Sequence, residues 1–223
     1  MFTRYAIFYT PPAGPFADAG SAWLGWDTAA GQGVVQPDVP GLDLPTLTAG
    51  ARKYGFHATL KAPLRLAEGA DDAALCAAVA RFAARHAPVV LAGLAPLHMH
   101  GFIALRPEGD TTALSALAAD IVRDLDRCRA PLNDAEIARR RRADLTARQD
   151  AQMLDWGYPY IFDDFHFHMT LTGSVDAALA AQILPAAAAH VTAPRPFAVD
   201  ALSVMGEDEQ GLFHQIDRFR LMG

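Results

Sequence analysis

The sequence has little cysteine, no surplus of basic charge and no long uncharged apolar segment. Its two cysteines, Cys76 and Cys128, lie in separate alanine-rich segments without a Cys-x-x-Cys motif. We therefore predict free thiols in a reducing compartment and no disulfide framework. The net charge of -6 argues against a protein that binds long nucleic acids, because these need a basic surface. A small phosphorylated substrate stays open, since a local pocket can be positive in an acidic protein.

Membrane and export signals are also missing. The first residues, MFTRYAIFYTPP, contain neither a long apolar stretch nor a small-residue cleavage site. The alanine-rich run 177–193 comes nearest to a membrane span, but Gln182, Pro185 and His190 interrupt it. We therefore expect a soluble, cytoplasmic protein without a membrane partner, and the oligomeric state stays open.

The order of the predicted elements repeats along the chain. The 223 residues, 52% hydrophobic and 20% charged, suit a single domain with a sizeable core. The first half, approximately residues 1–110, finishes with a strand over 54–66, then a helix, then a pair of strands. Helices over 112–128 and 134–154 open the second half, approximately 111–223, and strand 165–172, a helix and a hairpin follow. This order predicts an α+β fold in which a unit of antiparallel sheet plus helices is duplicated, giving two pseudo-symmetric halves.

One short motif occurs in both halves, as YGFHATLKAP (54–63) and FHFHMTLTGS (165–174). Because side chains alternate along a strand, each copy has one apolar face and one polar face. The polar side chains predicted to share a face are His57, Thr59 and Lys61 in the first copy, and His166, His168, Thr170 and Thr172 in the second. Buried polar groups are costly unless they are paired, so these faces should line a wet cleft.

Two histidines across a cleft suit the hydrolysis of a phosphodiester. One neutral imidazole, of His57 or His168, can accept a proton from attacking water, and the other, protonated, can donate to the leaving alkoxide. The hydroxyls of Thr59 and Thr170 can donate to phosphate oxygens, and Lys61 can neutralise charge in the transition state. This scheme needs no metal or other cofactor, and it leaves open which histidine is the acid.

The two motifs resemble the 2H phosphoesterase superfamily, whose pattern is His-x-Thr/Ser-aliphatic and whose members include RNA 2′,3′-cyclic phosphodiesterases and 2′-5′ RNA ligases. HATL at 57–60 and HMTL at 168–171 carry the resemblance. It implies two antiparallel sheets forming a V-shaped cleft, a catalytic pair of His57 and His168, and phosphate-binding hydroxyls on Thr59 and Thr170.

A narrower resemblance concerns the substrate. KYGFHATLKAPLRL and WGYPYIFDDFHFHMTLTG are similar to an uncharacterised branch of that superfamily encoded in phosphonate-utilisation operons. The similarity implies a cyclic phosphodiesterase-type hydrolase acting on a small cyclic or bridged phosphate, such as a ribose derivative, rather than on RNA.

Other residues are candidates for substrate contact. His166 shares the predicted face of His168, while Tyr54 and Tyr158 precede the two motifs and serve either packing or the cleft wall. The run 139–142, four arginines inside a predicted helix, cannot form one patch, because successive helical residues point 100° apart. We expect most of these arginines to be solvated or paired with acidic neighbours. The alternative is that one or two hold substrate phosphate at the cleft mouth.

Three other functions are compatible with the sequence. The first is an RNA 2′,3′-cyclic phosphodiesterase or ligase-like activity. The second is a zinc hydrolase in which the pairs His98-x-His100 and His166-x-His168 supply the ligands. The third is a nucleotide-binding module without turnover.

Arg4 and Tyr5 lie on a strand that can neighbour the motifs, and strand phase alone does not decide which of them faces the cleft.

Overall fold

The computed structural model describes residues 2–223. In chain order its strands are β1 (Arg4–Tyr9), β2 (Trp26–Asp27), β3 (Gln32–Gly33), β4 (Ala58–Leu64), β5 (Val89–Leu91), β6 (Gly93–Met99), β7 (Phe102–Glu108), β8 (Met169–Thr170), β9 (Phe197–Val199), β10 (Ala201–Glu207) and β11 (Phe213–Arg220). The α-helices of this part are α1 (Pro15–Leu24), α2 (Leu44–Arg52), α3 (Asp72–Ala83), α4 (Thr112–Asp124), α5 (Asp134–Arg140), α6 (Ala147–Trp156) and α7 (Ala177–His190).

Seven of the strands form one antiparallel sheet in the order β11-β10-β1-β4-β8-β7-β6. The predicted α+β class with antiparallel pairing is therefore confirmed. The expectation of two separate sheets differs from the structure, because β4 and β8 join the two strand groups through one residue pair, Ala58 with Met169. Each group takes strands from both predicted halves of the chain, and a division near residue 110 stays a prediction.

The core lies against the apolar residues of the two motifs. Ala58, Leu60, Met169 and Leu171 are all buried, as strand alternation predicts. Helix α3 packs on β10 and β11, α4 packs on β4, and α7 packs on β6 and β7. The buried indole of Trp23 donates from Nε1 to the carbonyl oxygen of Leu171 at 2.9 Å, so it anchors the second motif to α1.

Two predicted elements differ from the structure. The helix expected over 134–154 is divided into α5 and α6, because Thr146 begins a new helix: its hydroxyl accepts from the Gln149 amide and the Gln149 side chain accepts from the Thr146 amide. The strand expected over 165–172 shortens to the two residues of β8. Cys76 and Cys128 are free thiols, each half-buried. Across residues 2–223, every helix falls short of the length and apolarity that crossing a bilayer would require.

Candidate active site

Both copies of the motif line one cavity of 430 Å³. Its polar lining residues are His57, His168, Thr59, Thr170, Arg4, Arg139, Arg140, Tyr54 and Tyr158. The structure thus brings together the two predicted catalytic histidines, both predicted threonines and both predicted tyrosines.

The pairing of β4 with β8 explains why the two motifs meet. Ala58 and Met169, which directly follow the two histidines, are opposite each other in antiparallel register. In such a register the residues before and after the pair also lie across from one another. His57 is therefore on the strand opposite Thr170, and His168 is opposite Thr59. Since Ala58 and Met169 point into the core, these four polar side chains share the other face.

The ring of His57 is oriented by a backbone carbonyl. Its Nδ1 lies 2.9 Å from the carbonyl oxygen of Gly55, and its Nε2 lies 3.2 Å from Oγ1 of Thr59. A carbonyl oxygen can only accept, so Nδ1 carries the proton and Nε2 keeps a lone pair. The ring also stacks on Phe8, with centroids 3.9 Å apart and an interplanar angle of 28°.

His168 is oriented in the same way. Its Nδ1 donates to the carbonyl oxygen of His166 at 2.7 Å, again two residues earlier in the chain. The same tautomer follows, with Nε2 as the basic nitrogen. The repeat of the motif is therefore a repeat of ring orientation as well as of residue types.

The surroundings of both histidines disfavour their protonated forms. Burial lowers the pKa of His57 from 6.5 to about 4, the hydrogen bond to the Gly55 carbonyl opposes this shift, and the nearby His168 adds to it. Burial also lowers the pKa of His168 below its usual 6.5, and the positive Arg106 contributes in the same direction. Both rings are thus prepared to accept a proton at Nε2 from a nearby donor.

Gly55 has a role that only glycine can fill. Its φ is +71°, and a Cβ at this position would lie 2.2 Å from Cγ2 of Thr28. Left-handed backbone is costly for residues with a side chain, and here there is no room for one. Its carbonyl is the acceptor for His57, so the glycine turn before the first motif contributes to the site.

The cavity wall is cationic. Arg4 makes two hydrogen bonds to the carboxylate of Glu207, at 2.5 and 2.6 Å, while Arg139 and Arg140 come from the last turn of α5. Both line the cavity, so two arginines of the run reach it, as the alternative predicts. Arg139, Arg141 and Arg142 are exposed, as expected for most of the run. Arg141 instead pairs with Asp150, at 2.7 and 2.8 Å.

The two tyrosines lie on the same wall. The Tyr54 ring stacks at 6.0 Å from the His57 ring. The guanidinium carbon of Arg140 lies 5.5 Å from the centroid of the Tyr158 ring, within the range of a cation–π contact. Burial raises the pKa of Tyr158 to about 12, so its hydroxyl keeps its proton and can donate a hydrogen bond.

A second cavity of 620 Å³ adjoins the first and shares Thr59, Tyr158 and His168 with it. The exposed side chain of His166 lines this second cavity and not the first. Strand alternation predicted that His166 and His168 share one face. Both line the second cavity, but the segment 165–168 lies outside β8, so this proximity does not come from strand alternation.

Lys61 does not lie with the histidines, and its predicted place in the cleft is wrong. Two register shifts between β1 and β4 flank Lys61, which pairs with Ile7. Each such bulge breaks the alternation of faces. The Lys61 side chain is 5% exposed, and its Nζ donates to the Val122 carbonyl at 3.1 Å and to Asp126 at 3.2 Å. Its ammonium group is therefore bonded to the end of α4 and to Asp126 just after it, and Lys61 is absent from the lining of the 430 Å³ cavity.

Thr172 is likewise occupied by the backbone. It is buried, and its hydroxyl accepts from the amide of Ile103 at 2.9 Å. Its hydroxyl is therefore engaged by backbone groups, although Thr172 lines a further cavity of 340 Å³ together with His57 and Thr170.

The histidines of the zinc alternative are not arranged as ligands. Within residues 2–223, no group of three or more His, Cys, Asp or Glu side chains is suited to hold a metal ion. His98 instead donates from Nε2 to the carbonyl oxygen of Val175 at 3.2 Å.

Some site residues had weak sequence signals. Arg4 was one of two neighbouring candidates, and the structure selects it, since Tyr5 is 8% exposed and belongs to the core. The contact of Phe8 with His57 was missed, because cross-strand neighbours follow from register alone. The role of Gly55 is indicated in the sequence by a glycine two residues before His57.

Comparison with curated proteins gives two relatives over nearly the whole chain. One, from Janthinobacterium sp. (strain Marseille), is 42% identical over 219 residues, which are 94% of this chain and 48% of that protein. The other, from Laribacter hongkongensis (strain HLHK9), is 37% identical over 216 residues, 96% of this chain and 51% of that protein. Both are named ribose 1,5-bisphosphate phosphokinase PhnN. The chain spans about half the length of these relatives.

Two solved structures align with the whole fold at low similarity. TT0787 of Thermus thermophilus has a TM-score of 0.46 and 16% identity, with 99% of each chain covered. A protein described as a phosphoesterase has the same TM-score and identity, with 100% of each chain covered. The sequence-family comparison matches residues 59–214, a span that runs from Thr59 of the first motif through the whole second motif. By that match and the two relatives, this chain belongs to the family described as "Protein of unknown function (DUF1045)".

Proposed function

We propose that this protein is a phosphoesterase that hydrolyses a small cyclic phosphate or phosphodiester by two-histidine general acid–base catalysis. One observation supports the proposal: two imidazoles and two hydroxyls line one cavity with a cationic wall, beside the pairing of Ala58 with Met169. Imidazoles suit proton transfer near neutral pH, and cationic groups suit the charge of a phosphoryl transition state.

In this proposal the two histidines have distinct roles. His57, stacked on Phe8 and with its pKa lowered to about 4, is the neutral base. Its Nε2 takes a proton from water as the water oxygen bonds to phosphorus. His168 donates a proton from Nε2 to the leaving alkoxide as the ester P–O bond breaks. Exchange with solvent then returns His57 to the neutral form and His168 to the protonated form.

The remaining polar groups bind the phosphate. The hydroxyls of Thr59 and Thr170 donate to its non-bridging oxygens, each from the strand opposite a histidine. The negative charge of the bound ester also raises the pKa of His168, because an opposite charge favours the protonated ring. Substrate binding thereby helps to prepare the acid.

The relatives' name supports a small sugar phosphate as the substrate, since it refers to a phosphorylated ribose. The resemblance to proteins encoded in phosphonate-utilisation operons supports a place in phosphonate metabolism. We do not extend the kinase activity in that name to this chain. The P-loop of many kinases requires a Gly-Lys pair, and neither lysine here, Lys53 or Lys61, follows a glycine.

A second candidate is the hydrolysis of nucleoside 2′,3′-cyclic phosphates, such as those at RNA ends. The adjoining 620 Å³ cavity favours it, because its walls include Phe102, Tyr158, Tyr160, Phe162 and Phe165. A nucleobase can stack on such aromatic side chains while the cyclic phosphate lies between the histidines.

The test is a screen of sugar and nucleoside cyclic phosphates with wild-type protein, His57→Ala and His168→Ala. We expect each substitution to lower kcat by about 100-fold to 10,000-fold, the usual contribution of a general acid or base, with substrate binding largely kept. His86→Ala is the matched control. That ring also stacks on a phenyl group, at 3.8 Å from Phe82, and bonds a carbonyl through Nδ1, but it lies outside the cavity. If wild-type activity is unchanged in both site variants, the proposal is wrong.

A chelator separates this proposal from the zinc alternative. Activity should survive prolonged dialysis against EDTA, because the proposed steps use only side chains. Loss of activity with EDTA and recovery with Zn²⁺ would favour the metal hydrolase instead.

A further inference from the structure

The cavity contains more positive charge than one phosphodiester requires. A phosphodiester carries a single negative charge, and the histidines and threonines already bind it in the proposed function. Arg139 and Arg140 add two guanidinium groups, and neither is in an ion pair with a carboxylate of residues 2–223. In the described part of the chain the cavity lining contains no Asp or Glu.

The environment of the Arg140 guanidinium is energetically unfavourable when no ligand is bound. Its Nε is enclosed and has no hydrogen-bond partner, while its guanidinium lies over the ring of Tyr158. An enclosed polar group without a partner is unfavourable, and a charged one more so. Burial and the nearby Arg139 also lower the pKa of Arg140. An anionic oxygen at this position would reverse each of these costs.

Two nearby carboxylates, Glu136 and Asp150, are already engaged by other arginines, and these pairs also hold α5 in place. Glu136 accepts two hydrogen bonds from Arg65, at 3.2 and 3.0 Å, and caps the helix through Asn133. Asp150 accepts two from Arg141. Both ends of this short helix are thus held by ion pairs, so the backbone that carries Arg139 and Arg140 is in place before a ligand arrives, and the Arg140 side chain is also held over Tyr158. Such preorganisation lowers the entropic cost of binding.

We propose that the substrate has a second anionic group, a terminal phosphate monoester, which binds to Arg139 and Arg140 while the ester to be cleaved lies between His57 and His168. The location of the ester between the histidines rests on the proposed function, whereas the binding of a phosphate by the two arginines does not. A phosphate monoester carries a charge near −2 at neutral pH, which matches two unpaired guanidinium groups. The planar fork of arginine also fits phosphate oxygens in pairs. The substrate class is therefore a small molecule bearing both a cyclic phosphate or diester and a terminal phosphate.

The kinetic test uses two probes that differ only in the terminal group. They are adenosine 2′,3′-cyclic phosphate with a 5′-phosphate and the same nucleotide with a 5′-hydroxyl. We expect the 5′-phosphorylated probe to have a kcat/KM about 100-fold higher in the wild type, the effect of two charge-assisted hydrogen bonds. The ratio should approach one in Arg139→Met and Arg140→Met. Because both probes are measured on one preparation, partial misfolding cancels from the ratio.

Arg142→Met is the control for these variants, since Arg142 belongs to the same run but is exposed and outside the cavity. It should keep the wild-type ratio. Equal kcat/KM values for the two probes in the wild type would overturn the inference and leave the proposed function intact.

A binding measurement decides the inference independently of turnover. Ribose 5-phosphate, titrated by calorimetry, should bind the wild type and His57→Ala with similar affinity, and Arg140→Met about tenfold or more weakly, as expected for one lost charged contact. Binding that is absent in the wild type, or equal in Arg140→Met, would overturn the second anion site even if His57→Ala had abolished hydrolysis.

Discussion

Ala58 pairs with Met169 at the centre of the sheet, and this is the single point where strands β4 and β8 meet. Each residue directly follows a histidine and directly precedes a threonine. Both are fully buried, so the flanking polar side chains are turned to the opposite face. One backbone pair therefore assembles a site from two motifs that are more than a hundred residues apart.

The stability of the fold should depend on pH through His57. Its pKa is 6.5 in an ordinary setting and about 4 in the folded protein, because the ring is packed against Phe8 and only partly exposed to solvent. The folded state thus favours the neutral ring, and this contribution is complete above about pH 6.5 and is lost as the pH falls towards 4. The linked loss is about 3 kcal/mol, and His168 acts in the same direction.

Urea unfolding of the wild type and His57→Gln between pH 7.5 and 4 measures this effect. We expect the free energy of unfolding of the wild type to fall by about 3 kcal/mol more than that of the variant. Parallel curves for the two proteins would contradict the burial of a neutral His57.

The pH dependence of kcat/KM should have its optimum on the acid side of neutrality. The proposed acid, His168, has a pKa lowered below 6.5 in the folded protein by burial, so its protonated fraction at neutral pH is smaller than that of an ordinary histidine and falls further as the pH rises. The proposed base, His57, becomes protonated near pH 4. A profile of kcat/KM from pH 4 to 9 at constant ionic strength should therefore be bell-shaped between these limits. A plateau that extends to pH 8 would rule out His168 as an acid in the free enzyme.

Gly55→Ala should damage both the fold and the site. The substitution places a side chain at φ +71° and 2.2 Å from Thr28, and the turn carries the carbonyl that orients His57. We expect a loss of about 1–3 kcal/mol in the free energy of unfolding and at least a tenfold fall in kcat, about the effect of a misplaced catalytic group.

Gly50→Ala is the matched control. Gly50 lies in α2 with nothing within 4 Å of a new Cβ, so alanine there should stabilise the helix by about 0.5–1 kcal/mol. Both variants can be compared by urea unfolding and steady-state kinetics. A Gly55→Ala protein with normal kcat would show that the carbonyl does not set the orientation of His57.

Lys61→Met should affect stability and leave catalysis unchanged. The ammonium group is buried and bonds Val122 and Asp126, while Asp126 keeps its two hydrogen bonds to Arg129. We expect a loss of about 1–3 kcal/mol, the cost of removing one buried charged hydrogen bond, with kcat/KM within about twofold of the wild type, since no catalytic contact is lost.

The other lysine of the chain, Lys53, is exposed, and Lys53→Met should change neither quantity. A large fall in kcat with normal stability in Lys61→Met would return that residue to the catalytic cleft, where the sequence had predicted it.

The alternation of residues in the two motifs was sufficient to predict their local structure. Phe56, Ala58 and Leu60 are buried, as is Met169, because a strand of period two sends these side chains to one side. The α+β class followed in the same way from element order. Helix α6 also had a readable start in Thr146 and Gln149, which the longer apolar pattern over 134–154 obscured.

Features that depend on partners across the chain could not be predicted. The position of Lys61 follows from the two bulges that flank it in the pairing of β4 with β1, because a bulge interrupts the regular alternation of faces. The position of Arg139 and Arg140 follows from the bond of Arg65 to Glu136, a contact between segments that are 71 residues apart.

The sequence by itself determined the chemical groups of the candidate site and the strand phase that turns each histidine and threonine to a common face. These depend on the backbone geometry of neighbouring residues, which is local. Only the tertiary structure decided that β4 and β8 belong to one sheet, that Lys61 lies outside the cavity and that Arg139 and Arg140 line it. Those outcomes depend on register, bulges and ion pairs between distant segments, and the energy of such contacts exists only once the chain has folded.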